Sequence, residues 1–380
     1  MTPAMPKRVI LAAGGTGGHM FPAKALAREL IGRGLSVALI TDRRGGGFGP
    51  DLPQVETHCI SAGGLAGSGL VTRLRSLARL GLGLLQARAL LKRLDGDVVV
   101  GFGGYASVPT VLAGARLGLR VVLHEQNAVL GRANRLLAAR AQAIATSFDR
   151  VDGIADADRA KVRVTGNPVR PAIAALGRRP YALPDGADRL RLLVIGGSQG
   201  ASIFDEVVPA AICRLSDNLR CRLEVSQQVR GLDPQAVVAE YRNCGVQHEL
   251  APFFDDLADR LAAAHLVISR AGASTVAELA AAGRPGLMVP YPAATDDHQT
   301  ANARHLAETG GGWLMPQSTL TAQALAERLQ SLLGNPGLLA RASRCARAGA
   351  RAEAAKHLAE VVCRTAGNDG DRMAQGEAAA

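Results

Sequence analysis

The sequence predicts an α/β protein made of two doubly wound parallel-sheet domains, and three observations carry that prediction. Short β-branched runs alternate with Ala-, Leu- and Arg-rich helical stretches. The alternation occurs twice within 380 residues, a length that accommodates two cores. Between the two occurrences lies GNPVRP (166–171), whose two prolines and one glycine make it the natural hinge.

The elements follow in order. In the first half RVILAA (8–13), SVALIT (36–41), DVVVGF (97–102) and RVVLHE (120–125) read as buried parallel strands, because each is an almost unbroken apolar run. Helical patterns separate them near 22–33, 70–94, 107–117 and 131–140. In the second half RLLVIGG (191–197), CRLEVS (221–226), HLVISR (265–270) and GLMVPY (286–291) play the same part. The expected domains are 1–168 and 169–340. Closing helices over 341–367 are expected to pack back toward the first domain, and 368–380 reads as a disordered tail.

Composition narrows the function. Nearly half the chain is apolar and no stretch of 18 apolar residues occurs, so no membrane span is expected; no secretion leader is legible. The six cysteines (59, 213, 221, 244, 345 and 363) form no CxxC pair and no metal-ligand spacing, which reads as free thiols in a reduced, cytoplasmic protein. The net charge of +11 sits in the first half, where residues 1–170 hold 23 Lys/Arg against 11 Asp/Glu. An anionic partner follows: a phosphate-rich ligand or an acidic membrane surface rather than nucleic acid, since no zinc-finger spacing or RRM-type aromatic signature is present.

Each strong strand runs into a polar or glycine-rich turn. GGTGGH (14–19) is neither GxGxxG nor a P-loop, yet four glycines around one threonine exceed what a tight turn needs, and they let a ligand approach the backbone at a helix start. His19 at that start is a candidate proton acceptor, or a structural histidine. GGSQGAS (196–202) repeats the logic in the second half. In SRAGASTVAELAAAGRP (269–285) a diphosphate fits the helix start and Glu278 fits ribose hydroxyls; the plainer alternative is a capping box of Thr275 with Glu278. His124, Glu125, Gln126 and Asn127 form a polar cluster after a strand, and DDHQTANA (296–303) offers sugar-binding side chains or a helix cap.

Taken in order, GGTGGHMFPA, GGYASVP, HEQNAVLGRAN, GNPVR, GGSQGAS, RAGASTVAELAAAGRP and DDHQTANA resemble the bacterial MurG glycosyltransferases over roughly residues 8–365. The resemblance implies the GT-B fold, two Rossmann-like domains facing across a cleft. It implies inverting transfer of GlcNAc from UDP-GlcNAc to the MurNAc 4-hydroxyl of lipid I, giving lipid II and UDP for peptidoglycan. It places Thr16, Gly17 and Gly18 at the reaction centre. Asn127, Arg170, Ser198, Phe254 (through its backbone), Ala273, Ser274, Thr275, Val276, Ala277, Glu278 and Gln299 then contact the donor, with Glu278 on the ribose and Gln299 on the sugar. Two stretches depart from the family pattern: Gln227 stands where a histidine is usual, and RRGGGFGPDLP (43–53) lacks the usual glycine-and-glutamate pattern.

An inverting transfer needs a base for the acceptor hydroxyl, and His19 is the first candidate with Glu125 in reserve. No metal or other cofactor is expected, and helix N-termini take the diphosphate charge. The expected partners are UDP-GlcNAc, lipid I, an anionic inner-membrane surface and other cell-wall synthesis proteins, with the enzyme peripheral on the cytoplasmic face. Three other readings remain open: a nucleotide-sugar epimerase, a dinucleotide-dependent oxidoreductase and a membrane-associated binding protein. At helical spacing in 70–94, Leu70, Leu74, Leu77, Leu84 and Leu85 fall on one stripe with Arg75, Arg79 and Arg93 nearly opposite. Either the stripe packs on the sheet and the arginines are solvated, or part of the segment packs inward while exposed leucines and arginines meet anionic lipid. Arg73, Arg75, Arg79, Leu80 and Leu82 are the lipid-contact candidates; Gly81 and Gly83 argue against an unbroken helix.

Overall fold

The computed structural model describes residues 7–15, 17–43, 46–62, 70–183, 189–197, 200–231 and 233–367; for 70–77 it describes the backbone only. The chain forms two compact units, one of Met1–Pro168 joined by the chain from Glu353 onward, the other of Val169–Ala352.

In the first unit the strands are β1 (Arg8–Ala12), β2 (Ser36–Thr41), β3 (Glu56–Cys59), β4 (Val98–Gly101), β5 (Arg120–Glu125), β6 (Ala143–Thr146) and β7 (Val162–Val164). They form one parallel sheet in the order β3-β2-β1-β4-β5-β6-β7. The helices are α1 (Gly17–Gly32), α2 (Leu70–Leu94), α3 (Ser107–Arg116) and α4 (Arg132–Leu137). One face of the sheet packs Leu26 and Leu30 of α1 against Leu11, Leu39 and Val100; the other packs Leu91 and Leu94 of α2 against Ile10, Ile40 and Val99.

In the second unit the helices are α5 (Pro171–Ala174), α6 (Ser202–Ile212), α7 (Asp217–Arg220), α8 (Pro234–Asn243), α9 (Leu257–Ala263), α10 (Ala273–Ala282), α11 (His298–Glu308), α12 (Ala322–Leu333) and α13 (Pro336–Ala348). The strands β8 (Leu190–Ile195), β9 (Leu223–Gln228), β10 (Gln247–Ala251), β11 (Leu266–Ser269), β12 (Gly286–Met288) and β13 (Gly312–Leu314) pair in parallel in the order β10-β9-β8-β11-β12-β13. In both sheets the strand order therefore reverses beside the first strand, the switch point at which such sheets bind ligands beyond the strand C-termini.

Within the stretch 341–367 the two helices part. α13 packs on α10 and α12 in the second unit, while α14 (Ala354–Gly367) buries Leu358, Ala359 and Val362 in the first unit's core. The expected tail, 368–380, lies outside the described residues.

Two expectations are corrected. Cys213 and Cys244 are joined as a disulfide with Cα atoms 5.3 Å apart, because α6 and α8 pack together and their C-terminal ends meet. And α2 runs unbroken through Gly81 and Gly83. Its inward stripe is Leu80, Leu84, Ala87, Leu91 and Leu94 rather than one containing Leu85, which is 67% exposed. Gly83 sets that rotation: a Cβ there would stand 2.0 Å from the Ser61 carbonyl oxygen, and Gln86 accepts the Ser61 N–H at 2.7 Å.

Candidate active site

In the first unit the turn after β1 is built for close approach. A Cβ on Gly14 would lie 2.5 Å from the Ala106 Cβ and 2.9 Å from Asp42 Oδ1, and Gly15 (φ 86°) donates its N–H to Asp42 Oδ1 at 3.3 Å. Thr16 lies outside the described residues. Gly17 and Gly18 open α1, and His19 follows in its first turn, half-buried. The imidazole rests on the Gly103–Gly104 backbone, both residues having positive φ (82° and 70°). A Cβ on Gly104 would meet His19 Cδ2 at 3.3 Å. Gly104→Ala is expected to cost about 1–2 kcal/mol from the left-handed backbone alone and to lower turnover by shifting the imidazole; thermal melts and steady-state rates check both.

At the end of β5, four consecutive polar residues take separate tasks. His124 is fully buried, its Nε2 3.2 Å from the Gly166 carbonyl, and burial pushes its pKa down to about 4. Glu125 is also buried, and both its oxygens are occupied. Oε1 accepts from the N–H and Nδ2 of Asn127 at 3.0 and 3.2 Å, and Oε2 from the Gly131 N–H and Asn134 Nδ2 at 2.9 and 2.8 Å. This carboxylate organises the turn into α4. Gln126 bridges His19 and His124. Asn134 Oδ1 is buried without a hydrogen-bond partner among the described residues. Gln126 and Asn134 stand inside the motif HEQNAVLGRAN, but nothing in their local sequence marks them as touching His19 or Glu125.

In the second unit the turn after β8 is equally tight: a Cβ on Gly196 would meet the Ala201 nitrogen at 2.5 Å. Ser198 lies outside the described residues. Gln228 holds the turn, accepting the Gly196 N–H at 3.1 Å and donating to the Pro252 carbonyl at 2.9 Å. Gln227 is fully buried, donating to the Phe204 carbonyl at 3.2 Å and accepting from the Tyr241 hydroxyl at 2.5 Å. The residue that departs from the family pattern thus ties β9 to α6 and α8.

The turn into α10 replaces the capping box with another arrangement. The N-cap is Gly272, with no side-chain cap, and Thr275 sits inside the helix. The preceding Ala271 is clamped from α11: its N–H goes to Gln299 Oε1 at 3.2 Å and its carbonyl takes Asn302 Nδ2 at 3.1 Å. Gln299 Oε1 also accepts the Tyr291 N–H at 3.0 Å. Ser274 Oγ is buried with no partner among the described residues. The side chains of Ala273 and Val276 are buried, whereas Ser274, Thr275 and Ala277 are half-buried. Arg170, just ahead of α5, grips Glu278 with both arms, Nε to Oε1 and Nη2 to Oε2, each 2.8 Å. A carboxylate held so retains lone pairs for other donors. Phe254 is buried with the Arg260 guanidinium 4.1 Å above its ring. Arg260 in turn binds Glu249 and Asp256, and its hydrogen bonds hold both carboxyls below their usual range.

The lipid-contact candidates divide. Arg79 and Leu82 are exposed on α2, as is Leu85; Leu80 instead packs partly on the core, because it lies on the inward stripe. The side chains of Arg73 and Arg75 lie outside the described residues. No helix among the described residues is long and apolar enough to cross a membrane.

Residues 9–146 match the N-terminal domain of glycosyltransferase family 28, and residues 191–360 match its C-terminal domain. The chain is 55% identical over 359 residues to a protein of Rhodospirillum centenum named UDP-N-acetylglucosamine–N-acetylmuramyl-(pentapeptide) pyrophosphoryl-undecaprenol N-acetylglucosamine transferase, covering 94% of each. A protein of the same name from Rhodospirillum rubrum is 55% identical over 361 residues, 95% of this chain and 92% of that one. Among solved structures, Acinetobacter baumannii MurG superposes with a TM-score of 0.76 at 31% identity, over 94% of this chain and 99% of that one.

Proposed function

The chain belongs to the MurG family within glycosyltransferase family 28, and from that premise we propose how its own residues divide the work. The enzyme, of GT-B fold, transfers GlcNAc from UDP-GlcNAc to lipid I, forming lipid II and UDP in peptidoglycan synthesis. The observation that carries the assignment of roles is His19, half-buried in a glycine-lined turn and held through one ring nitrogen by Gln126.

His19 takes the proton of the MurNAc 4-hydroxyl as that oxygen attacks the anomeric carbon. Gly17 and Gly18 leave room for the two substrates, with Thr16 beside them, and Asn127 is fixed by Glu125 to face them. On the donor side the start of α10, with the buried Ser274 hydroxyl, takes the leaving diphosphate, together with Ser198 of the GGSQGAS segment. Ala273, Thr275, Val276 and Ala277 contribute through the backbone of that helix. Glu278, oriented by Arg170, accepts the ribose hydroxyls. Gln299 offers its Nε2 to the GlcNAc hydroxyls, and Phe254 offers its backbone to the uracil. Incubation with UDP-GlcNAc and a lipid I analogue should release UDP only when both are present; release independent of the acceptor would defeat this reading.

The acceptor's lipid tail brings the enzyme to the cytoplasmic face of the inner membrane, where other cell-wall synthesis proteins are its expected neighbours. The exposed face of α2 serves that approach: Arg79, Arg88, Lys92 and Arg93 lie exposed beside Leu82 and Leu85. Each cation near an anionic surface contributes about 1 kcal/mol, and the leucines add apolar burial. Changing Arg79→Glu, Leu82→Ser and Leu85→Ser together should abolish sedimentation with anionic vesicles while leaving turnover of a short-chain acceptor intact. Sedimentation that survives the triple change would move the membrane face off α2.

A further inference from the structure

We propose that Gln126 is a positioning residue that locks His19 in the Nδ1–H tautomer, with the buried His124 as its anchor, so that Nε2 is the nitrogen that receives the acceptor's proton. The inference rests on His19 being the base.

The chain of hydrogen bonds can be oriented without ambiguity, because it ends on groups that only accept. His124 Nε2 is 3.2 Å from the Gly166 carbonyl oxygen, so that nitrogen carries the hydrogen. His124 is fully buried and neutral, its pKa pushed down to about 4 by burial, so its Nδ1 is a bare acceptor. Gln126 Nε2 lies 2.9 Å from the His124 carbonyl oxygen and 2.9 Å from His124 Nδ1. Both are acceptors, and an amide NH₂ has two hydrogens to give them. That fixes which end of the Gln126 amide is nitrogen. Its Oε1 then faces His19 Nδ1 at 3.0 Å and accepts, so His19 Nδ1 carries a hydrogen and Nε2 keeps its lone pair. Gln126 is 2% exposed, so water does not compete for these bonds.

In the reaction the hydroxyl proton moves to His19 Nε2 as the acceptor oxygen bonds to the anomeric carbon. The bond from that carbon to the diphosphate oxygen breaks, and UDP leaves with the electron pair. The imidazolium so formed keeps Nδ1–H on Gln126 Oε1, so no second proton has to move. An amide does here what a carboxylate does beside the histidine of serine hydrolases: it chooses the tautomer.

Long-range ¹H–¹⁵N spectra of the full-length protein, with His19 identified by the signals lost in His19→Gln, read the tautomer directly. The wild type should show a protonated Nδ1 and a bare Nε2 at His19, and the reverse at His124. Gln126→Met, which keeps side-chain length but neither bonds nor donates, should shift His19 toward the Nε2–H form. It should also lower kcat about tenfold or more, with the KM for UDP-GlcNAc within twofold. An Nε2–H form of His19 in the wild type overturns the proposal, and it does so even if Gln126→Met fails to fold. So does a normal kcat in a variant whose tautomer has changed, or a fallen kcat with the tautomer unchanged. Should His19 not be the base, His19→Ala would stay active while the wild-type spectrum still showed the predicted tautomer, so the two failures are distinct.

Discussion

His19→Ala is expected to lower kcat about 100-fold or more, the lower part of the range that general bases contribute, while UDP binding changes little. The expectation follows from geometry. The imidazole sits in the first turn of α1 against Gly103 and Gly104, with Nδ1 engaged by Gln126 and Nε2 without a hydrogen-bond partner among the described residues. Glu125 cannot stand in without breaking up its own turn, since it already accepts four hydrogen bonds. Rapid-quench turnover with saturating donor, together with UDP titration, tests the two halves separately. A near-normal rate in the alanine enzyme would leave His19 a structural residue.

Glu278→Ala should weaken UDP-GlcNAc binding by about 1–3 kcal/mol, the cost of depriving ribose hydroxyls of a charged acceptor, or roughly 5- to 150-fold in Kd. The ion pair with Arg170 supplies the competing explanation, because losing a partner in a mostly buried pair also destabilises the fold. The two are separable by pairing donor affinity with a thermal melt. Weakened binding at a small loss of melting temperature supports the ribose contact. A large drop in melting temperature with an unchanged donor KM would make the pair purely structural.

What could be read from the sequence was what lies close along the chain. β1, β4, β5, β8 and β11 announce themselves as apolar runs, because a strand covered on both faces needs one. The edge strands β3, β7 and β10 do not: ETHC, VRV and QHELA are half-exposed and owe their place to pairing with β2, β6 and β9. The glycine turns were legible for the same local reason. Their supports were not, since His19 finds Gln126 across 107 positions and Arg170 finds Glu278 across 108. Thr275 and Glu278 matched a capping box by spacing alone. The helix starts before Thr275 because α11 holds Ala271 from outside the local sequence.

The helix α14 bears on biosynthesis. It comes from the C-terminal end of the chain, yet Leu358, Ala359 and Val362 fill the core beside α1, β4, β5 and β6. A ribosome therefore delivers the whole of the first sheet long before the helix that covers part of it, with the entire second unit made in between. During that interval the apolar surface later buried by α14 is open to chaperones or to aggregation. A transcript truncated near residue 352 would yield a complete second unit and a first unit that never closes.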